Sequence, residues 1–185
     1  MASQAQSQLE NQIKACIAGD SEAFHYIFDY VKDRLFAYIL SRAGNREDAL
    51  DLTQEVFVDL WRALARFQYL SLGQFYAFIF LIARRRLIKF YRSRRIQVEL
   101  NENNLAEPKV ESNFDDHRDL LAGLRSLSRK YQEVLRLRYW SGFSHQEIGR
   151  ILGVREATIK VWHYRAVQKL KKILNQWWKF LKMTI

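Results

Sequence analysis

The sequence predicts an all-α protein with two small helical domains joined by a flexible acidic linker, the second domain containing a helix-turn-helix. Three observations support this fold class. Apolar residues recur at helical spacing along most of the 185-residue chain, which contains a single proline. Between residues 96 and 117 this periodicity disappears, and asparagine, serine and acidic residues crowd together. Beyond that segment, a glycine turn separates two short helical patterns. The predicted division is a first domain at 1–95, a linker at 96–117, a second domain at 118–175 and an aromatic tail at 176–185.

The charge of the chain is distributed in blocks. The net charge is +10, and seven basic residues with no acidic ones fall within 84–95. A second basic block, 118–185, holds 15 basic and four acidic residues, whereas the segment between the blocks holds one basic and six acidic. Clustered lysine and arginine attract phosphates whatever the base sequence, so the blocks predict two separate contacts with a polyanion. By charge alone, an anionic membrane surface is the competing partner.

The composition argues against several classes of protein. The single cysteine, Cys16, excludes an internal disulfide. The four histidines, His25, His117, His145 and His163, lack metal-ligand spacing, so we expect no metal and no cofactor. No Ser, His and Asp arrangement, catalytic carboxylate pair or glycine-rich phosphate loop indicates an enzyme. Because the sequence has neither a membrane-spanning apolar run nor a signal peptide, we expect a cytoplasmic protein.

In the first domain, one helix is predicted from Glu22 to Leu40 and a second from about Arg46, after a break at Gly44 and Asn45. The second helix has an unusually wide apolar arc. Its core-facing stripe is Ala49, Leu52, Val56, Leu60 and Ala63, and a neighbouring face carries Leu50, Phe57, Trp61 and Leu64 beside Asp51, Gln54 and Glu55. Docking of another protein's helix on Gln54, Phe57 and Trp61 would account for this arc, as would burial on both sides. The periodicity favours neither explanation.

A third helix, predicted from about Gln74 to Arg95, combines aromatic and basic side chains. Its aromatic residues are Phe75, Tyr76, Phe78, Phe80, Phe90 and Tyr91. Its second half carries Arg84, Arg85, Arg86, Lys89, Arg92, Arg94 and Arg95. Rings offer stacking surfaces to unstacked bases while arginine holds the backbone, so this helix suits a separated nucleic-acid strand. One helical stripe nevertheless runs through Phe75, Ile79, Ile82 and Arg86. We therefore expect most of the rings to be buried and the basic half to be exposed.

The second domain contains the two short helical patterns around the glycine turn. Ser144 is expected to cap the first helix together with Glu147, and Gly153 to end it. Gly149 would let the next helix cross closely, because it has no side chain. The predicted buried residues are Ile148, Ile151, Leu152, Ile159, Ala166 and Leu170. The candidate DNA-binding residues are Ser144, Arg155, Glu156, Ala157, Thr158, Lys160, Val161, Tyr164 and Arg165. An ordinary helical hairpin would share the caps, but the glycine placement and the surrounding charge favour DNA binding.

Together, the wide apolar helix, the basic aromatic helix and the helix-turn-helix resemble an extracytoplasmic-function sigma factor of bacterial RNA polymerase. Residues 48–61 (DALDLTQEVFVDLW) are similar to that family's polymerase-binding helix, and residues 75–84 (FYAFIFLIAR) to its promoter-opening segment. Residues 127–170 are similar to its second DNA-binding domain. The resemblance implies that 1–95 is sigma region 2 and 118–175 is sigma region 4. It also implies recruitment of polymerase to promoters and strand separation, with no chemistry and no small-molecule substrate of the chain's own.

The resemblance also assigns partners to the candidate residues. It places Asp51, Gln54, Glu55, Phe57 and Trp61 against the clamp helices of the largest subunit of RNA polymerase. It places the basic helix end, 84–95, on the minus-ten element of promoter DNA and residues 155–164 on the minus-thirty-five element. An anti-sigma factor is implied as a further partner.

Two stretches depart from the family pattern. Where the family often has Ile-Ala-Arg-Asn, this chain has Ile82-Ala-Arg-Arg85, so a guanidinium replaces the amide that would contact a flipped base. In the recognition helix, Arg155 replaces a frequent serine, and 161–163 (VWH) stand where Ser, Arg and Leu are frequent. Base preferences therefore cannot be transferred from the family to this chain.

Two further questions stay open at the level of sequence. The tail contains Trp177, Trp178, Phe180 and Leu181, and we expect it to pack back on the second domain rather than to dock a partner or a membrane. The alternative function is a helix-turn-helix regulator that acts without polymerase, which would dimerise on an inverted repeat.

Overall fold

The computed structural model describes the backbone of residues 2–101 and 118–184, and the side chains of 4–94, 120 and 122–175. All regular secondary structure in these ranges is helical, which confirms the all-α prediction. The chain divides into two compact units, Met1–Glu111 and Ser112–Ile185. Each unit buries a set of apolar side chains of its own.

The first unit contains, in its described range, α1 (Ala2–Ile17), α2 (Ala23–Ala43), α3 (Arg46–Leu64) and α4 (Leu72–Asn101). The central helix is α2, which packs against the other three, and α3 packs against α4 as well. Fully buried side chains include Ile27, Leu35, Tyr38, Leu60, Phe75 and Phe80. The rings of Tyr38 and Phe80 meet edge to face with centroids 4.9 Å apart, which joins α2 to α4.

The N-terminal helix α1 was missed at the level of sequence, because glutamine and serine dominate its first half and only a short apolar stripe follows. Leu9, Ile13 and Cys16 form that stripe and are buried. The Nζ atom of Lys14 lies 5.6 Å from the ring centroid of Tyr69, in the α3–α4 connection. Burial, and secondarily the carboxylate of Glu10, raise the pKa of Tyr69 to about 12. The helix therefore packs on α2 and also contacts the α3–α4 connection.

The break between α2 and α3 lies where the sequence predicts it. Gly44 has a φ of +92°, a conformation that residues with a side chain rarely adopt, and it ends α2. The side-chain oxygen of Asn45 accepts a hydrogen bond of 2.7 Å from the backbone N–H of Asp48. This cap starts α3 at Arg46, as expected.

The fourth helix is longer than predicted. It begins at Leu72 and continues to Asn101, so the first residues assigned to the linker, 96–101, are helical. Their side chains include Gln97, Glu99 and Leu100, which are good helix formers, and the proline of the chain comes only at position 108. The remainder of the predicted linker, 102–117, lies outside the described residues.

The second unit contains, in its described range, α5 (Arg118–Ser126), α6 (Arg129–Tyr139), α7 (His145–Leu152) and α8 (Glu156–Thr184). The long helix α8 packs against the other three. The hydrophobic core between α5, α6 and α8 consists of Leu124, Leu127, Tyr131, Leu135 and Ala166. Because α8 continues to Thr184, the backbone of the aromatic tail is helical. The predicted packing of Trp177, Trp178, Phe180 and Leu181 falls outside the described side chains.

The predicted caps of α7 are confirmed. The Oγ atom of Ser144 accepts a hydrogen bond of 3.2 Å from the backbone N–H of Glu147. The Glu147 carboxylate in turn accepts one of 2.8 Å from the backbone N–H of Ser144, which completes a capping box. Gly153 ends the helix with a φ of +71°. Both ends of α7 are thus determined by residues that the sequence identifies.

The close approach at Gly149 is also confirmed. A Cβ atom on this residue would lie 2.7 Å from the carbonyl oxygen of Val154, in the turn that leads into α8. The turn backbone thus occupies the space that a side chain at position 149 would need.

Among the predicted core residues, Ile148, Ile159 and Ala166 are buried, while Ile151, Leu152 and Leu170 are half-buried.

We expect Gly149→Ala to destabilise the second unit. The new methyl group cannot be accommodated unless the α7–α8 turn moves, and overpacking of this kind costs about 1–3 kcal/mol. The measurement is urea unfolding of the full chain. Gln146→Ala, at an exposed position of the same helix, is the matched control and should change stability by less than about 0.5 kcal/mol. Equal stability of the two variants would contradict the close approach.

Candidate protein-binding and nucleic-acid-binding surfaces

The wide apolar arc of α3 has two causes. Phe57 is only 5% exposed, and its ring meets Phe28 and Phe24 of α2 with centroids 4.5 Å and 6.4 Å away. Leu64 is buried as well. Trp61, by contrast, is 44% exposed, although one edge contacts Phe24 at 5.0 Å between centroids. Burial therefore explains one part of the arc, and an exposed apolar surface is the other part.

Phe57 accordingly does not lie on the exposed protein-binding surface to which the sequence assigned it. The apolar residues that α3 does expose are Leu50 (43%), Val58 (46%) and Trp61 (44%). With Gln54 they are spaced i, i+4, i+8 and i+11, which places them along one side of the helix. We call these four residues the α3 row. Val58 was missed, although its position four residues after Gln54 was the available clue.

Three acidic residues of α3 lie beside the row or behind it. Asp51 and Glu55, both predicted to bind a protein partner, are exposed. Asp59 is half-buried and faces α4, where Arg86 makes an ion pair with it. The same guanidinium reaches a carboxylate oxygen of Glu55 at 2.8 Å.

The ion pairs of Arg86 change the electrostatics of α3. The hydrogen bond from Arg86 holds the pKa of Asp59 below its ordinary value, and the same bond raises the pKa of Arg86. The sequence assigned Glu55 to a protein-binding surface and Arg86 to a DNA-binding surface, but the structure joins these two side chains. Arg86 is thus a link between α3 and α4, and its side chain is only 22% exposed.

Two more contacts hold the second half of α4 against α2 and α3. Arg94 lies 3.1 Å from a carboxylate oxygen of Asp48, and its guanidinium lies 5.5 Å from the ring centroid of Phe90. The hydroxyl of Tyr91 donates a hydrogen bond of 2.9 Å to the carbonyl oxygen of Arg42. These bonds fix the orientation of α4 relative to α2 and α3.

The exposed basic residues of α4 are fewer than the predicted seven. Arg84, Arg85, Lys89 and Arg92 are exposed, and we call them the α4 cationic face. Arg86 and Arg94 pair with acids of α3. The side chain of Arg95 lies outside those that the structure describes.

The aromatic residues of α4 divide as the sequence predicts. Phe75, Tyr76 and Phe80 are buried, so they stabilise the hydrophobic core. Tyr91 is exposed, and so are the apolar residues Leu81 and Ile88 beside the cationic face. The exposed side of α4 is therefore a mixture of positive charge and apolar surface, which suits contact with both phosphates and bases.

In the second unit, most of the candidate DNA-binding residues at the start of α8 are exposed. Arg155, Ala157, Lys160, Val161, Tyr164 and Arg165 are exposed, whereas Glu156 and Thr158 are half-buried. Lys160 pairs with Glu156 at 2.8 Å, and this hydrogen bond lowers the pKa of Glu156. Ser144 is exposed too, with its hydroxyl used in the cap of α7. The name α8 recognition surface is used for Arg155, Ala157, Lys160, Val161, Tyr164 and Arg165.

A histidine cluster that the sequence did not reveal connects α6 with the two helices of the helix-turn-helix, α7 and α8. His145 begins α7 and His163 lies on α8, and their rings have centroids 4.9 Å apart. The Tyr139 hydroxyl, at the end of α6, is 3.1 Å from Nε2 of His163. Burial, and then the positive charge of Arg138, hold the pKa of His145 below its ordinary value. Burial and the neighbouring His145 do the same for the pKa of His163.

The described residues contain no group of three or more His, Cys, Asp or Glu side chains arranged to hold a metal ion. Among the helices described, none combines the length and the apolar character needed to cross a membrane.

Comparison with known families matches both units. The family Sigma-70 region 2 matches residues 27–96, which include α3 and most of α4. The family Sigma-70, region 4 matches residues 117–170, which include the helix-turn-helix. The helix α1, the linker between 97 and 116 and the end of α8 lie outside both matches.

Curated relatives and solved structures are similar over most of the chain. The sigma factor BldN of Streptomyces coelicolor is 32% identical over 165 residues, which are 85% of this chain and 62% of that protein. SigE of Mycolicibacterium smegmatis is 30% identical over 77% of this chain and 58% of that protein. Both are described as extracytoplasmic-function RNA polymerase sigma factors, and this chain spans about three fifths of their length.

Two solved structures share the fold. RpoE of Bartonella quintana, crystallised with the anti-sigma factor NepR, is 25% identical with a TM-score of 0.56, over 82% of this chain and 96% of that one. CnrH, in complex with the cytosolic domain of CnrY, is 21% identical with a TM-score of 0.67, over 91% and 98% of the two chains. At that identity the second likeness concerns the fold alone.

The histidine cluster predicts that the second unit loses stability in mild acid. Because both pKa values lie below the ordinary 6.5, the unfolded chain binds more protons than the folded one as the pH falls through about 6.5. Stability is therefore retained above that pH and declines below it. We expect the thermal midpoint to fall more in the wild type than in His145→Gln/His163→Gln between about pH 7.5 and about pH 5.5. An equal fall in both proteins would assign the acid sensitivity to other groups.

Proposed function

The chain belongs to the extracytoplasmic-function sigma factors, and we propose that it directs bacterial core RNA polymerase to promoters and assists their opening. The observation that carries this proposal is the pairing of two exposed surfaces in the region 2 match. The α3 row offers an apolar protein-binding surface, and the α4 cationic face offers a nucleic-acid surface. A regulator that needs only a helix-turn-helix would have no use for the first of them.

We propose that the α3 row binds the clamp helices of the largest polymerase subunit. Interfaces derive most of their affinity from a few large side chains, and tryptophan is enriched among these. Trp61 has such a side chain, and Phe24 and Phe57 support it from within the first unit. Asp51 and Glu55 lie beside the row as acidic groups for a basic partner. Phe57 then acts indirectly, through the position of its neighbours.

We propose that the α4 cationic face binds the minus-ten element while its strands separate. Arg84, Arg85, Lys89 and Arg92 are placed to contact phosphates, and exposed apolar residues between them are placed to meet unstacked bases. Arg86 and Arg94 have a different role in this proposal. Because they pair with acids of α3, they set the direction of the helix rather than contact DNA.

We propose that the α8 recognition surface binds the minus-thirty-five element as duplex DNA. The start of a recognition helix enters the major groove, where Arg155, Lys160 and Tyr164 would meet base edges and phosphates. Each unit alone would bind weakly. Polymerase would hold both units at the spacing of the two elements, so that binding of one raises the effective concentration of the other.

The family carries out no chemical step of its own, and we propose the same for this chain, acting in the cytoplasm. Polymerase would synthesise the RNA. Since RpoE was crystallised with an anti-sigma factor, we also propose a protein partner that covers the α3 row or the DNA-binding surfaces until the factor is needed.

Run-off transcription with core polymerase and a pool of genomic promoters tests this function. New start sites should appear only when the chain is added, downstream of a shared two-part motif.

Leu50→Ser/Trp61→Ala should keep the fold but weaken the binding of core polymerase by about 30-fold or more, since hot-spot residues contribute about 2 kcal/mol or more. Phe57→Ala should instead destabilise the first unit by about 3–5 kcal/mol.

The contrast between these two variants distinguishes the docking surface from its support. Urea unfolding measures the stability of each variant, and titration of labelled core polymerase measures its affinity for polymerase. Full promoter-dependent activity in Leu50→Ser/Trp61→Ala would remove the α3 row from the polymerase interface. No new start sites with the wild type would contradict the sigma-factor function as a whole.

The arginines of α4 should also separate into two classes. Arg85→Gln/Lys89→Gln should leave stability unchanged and reduce the salt dependence of binding to a single-stranded minus-ten oligonucleotide by about 0.7 per lost phosphate contact. Arg86→Gln should destabilise the first unit by roughly 1–3 kcal/mol, because two acids of α3 lose a charged hydrogen-bond donor. Fluorescence anisotropy measures the salt dependence of oligonucleotide binding, and urea unfolding measures the stability of the first unit. A salt slope that only Arg86→Gln reduces would contradict this division.

A further inference from the structure

The histidine cluster lies next to the α8 recognition surface. His163 is half-buried and stands on α8 between Lys160 and Tyr164, which belong to that surface. The centroid of its ring is 4.9 Å from that of His145, the first residue of α7. Its Nε2 atom is 3.1 Å from the hydroxyl of Tyr139 on α6. The cluster therefore joins α8 to α6 and α7 close to the residues proposed to contact DNA.

The hydrogen bonds of the cluster suit neutral imidazoles. A neutral ring has one nitrogen that donates and one that accepts, whereas an imidazolium donates from both. The Tyr139 hydroxyl can donate to Nε2 of His163 only while that nitrogen is unprotonated. The Nε2 atom of His145 is buried and has no hydrogen-bond partner among the described residues. An imidazolium at His145 would therefore have a buried N–H without an acceptor, and one at His163 would have to reverse its bond with Tyr139.

The charges around the cluster also oppose its protonation. From α6, the positive charge of Arg138 acts on both rings, and its Nη1 atom is held by a 3.0 Å hydrogen bond to the carbonyl oxygen of Phe143. From α8, Lys160 and Glu156 act on His145, but these two side chains pair with each other at 2.8 Å. Burial, and then the positive neighbours, keep the pKa of both histidines below its ordinary value. The pair is therefore neutral at neutral pH and gains charge in mild acid.

The helix that depends most on this contact is α7. It has eight residues, His145–Leu152, and those that it buries are Ile148 and Gly149. Its start is held by the capping box and by the ring contact of His145 with His163. Elements with few buried apolar contacts open locally at a lower cost in free energy than the whole domain. Repulsion between two imidazolium rings with centroids 4.9 Å apart would therefore open α7 before the rest of the second unit unfolds.

We propose that the second unit contains an acid-sensitive switch, in which protonation of His145 and His163 separates α7 from α8 and reduces the recognition of base sequence by α8. In a helix-turn-helix the first helix crosses the DNA backbone while the second reads bases in the major groove, so recognition depends on the angle between them. Attraction of phosphates does not need that geometry, and two added positive charges would increase it. Acid should therefore lower the affinity for a specific site but not for random-sequence DNA. The effect on DNA rests on the proposed function of α8, whereas the opening of α7 does not.

Amide hydrogen exchange of the full chain between about pH 7.5 and about pH 5.5, corrected for the intrinsic pH dependence of exchange, tests the opening. The equilibrium constant for opening of 145–152 should rise by up to about tenfold for each histidine that only the opened state protonates, thus by about 10- to 100-fold for the pair. His145→Gln/His163→Gln should abolish the rise. His25→Gln/His117→Gln, which removes the other two histidines of the chain, is the matched control and should retain it.

Thermal unfolding at about pH 7.5 shows whether each variant is folded. If His145→Gln/His163→Gln is unfolded, His163→Gln alone should still reduce the rise by up to about tenfold. An opening constant of α7 that does not change with pH in the wild type overturns the switch. So does a rise that the folded double variant retains, because other groups would then be responsible for it.

Fluorescence anisotropy with two duplexes of about 30 base pairs tests the effect on DNA. One duplex contains the minus-thirty-five element of a promoter identified by run-off transcription, and the other has a random sequence. The ratio of the two affinities should fall by the factor 1 + K, where K is the opening constant from hydrogen exchange, and by at least about threefold at about pH 5.5. The ratio for His145→Gln/His163→Gln should not change. A higher ratio in acid would overturn the effect on recognition, since phosphates would then stabilise the protonated rings in place.

The two measurements separate this inference from the proposed function. Hydrogen exchange uses neither polymerase nor DNA. If run-off transcription yields no start sites, the sigma-factor function and the effect on promoter recognition are both rejected, while the exchange data alone decide whether acid opens α7.

Discussion

The orientation of α4 on α3 depends on one guanidinium. Arg86 bonds to Asp59 and Glu55 at once, and because these bonds are charge-assisted and partly shielded from water, they have a strong directional effect. Arg94, further along α4, makes a similar ion pair with Asp48 of α3. The α3 row and the α4 cationic face are therefore parts of one rigid body. A partner that holds α3 would also determine where the cations of α4 lie.

In the second unit the corresponding constraint is close backbone packing. Gly149 admits the turn, the capping box of Ser144 and Glu147 starts α7, and α8 packs against every other helix of the unit. The long helix thereby contributes to two groups of residues from one support: the recognition residues at its start and the histidine cluster along another side. His163 is the member of that cluster that α8 contributes. Such a support is rigid, which would reduce the entropy lost in the proposed binding of DNA.

The sequence predicted the features that depend on neighbouring residues. The break at Gly44 and Asn45 and the caps at Ser144 and Gly153 follow from local rules, and the structure confirms them. Most of the candidate residues at the start of α8 are exposed, although Glu156 and Thr158 are half-buried. Features that depend on tertiary contacts were missed. Periodicity assigns Phe57 and Trp61 to the same face, and only the contact of Phe57 with α2 shows which one is buried. The role of Arg86 was missed because its partners lie 27 and 31 residues earlier in the chain.

The distribution of charge also limits which surface each partner can occupy. Acidic residues flank the α3 row, whereas the described surfaces of α4 and α8 that are proposed to bind DNA are dominated by basic residues. A phosphate backbone approaching α3 would meet Asp51 and Glu55 and be repelled, while the same backbone is attracted to α4. DNA would therefore not compete for the surface proposed to bind polymerase, even though the two helices are in contact. This separation needs Arg86 to bond inward, because a free guanidinium beside Glu55 would add positive charge to the edge of the α3 row and weaken the distinction.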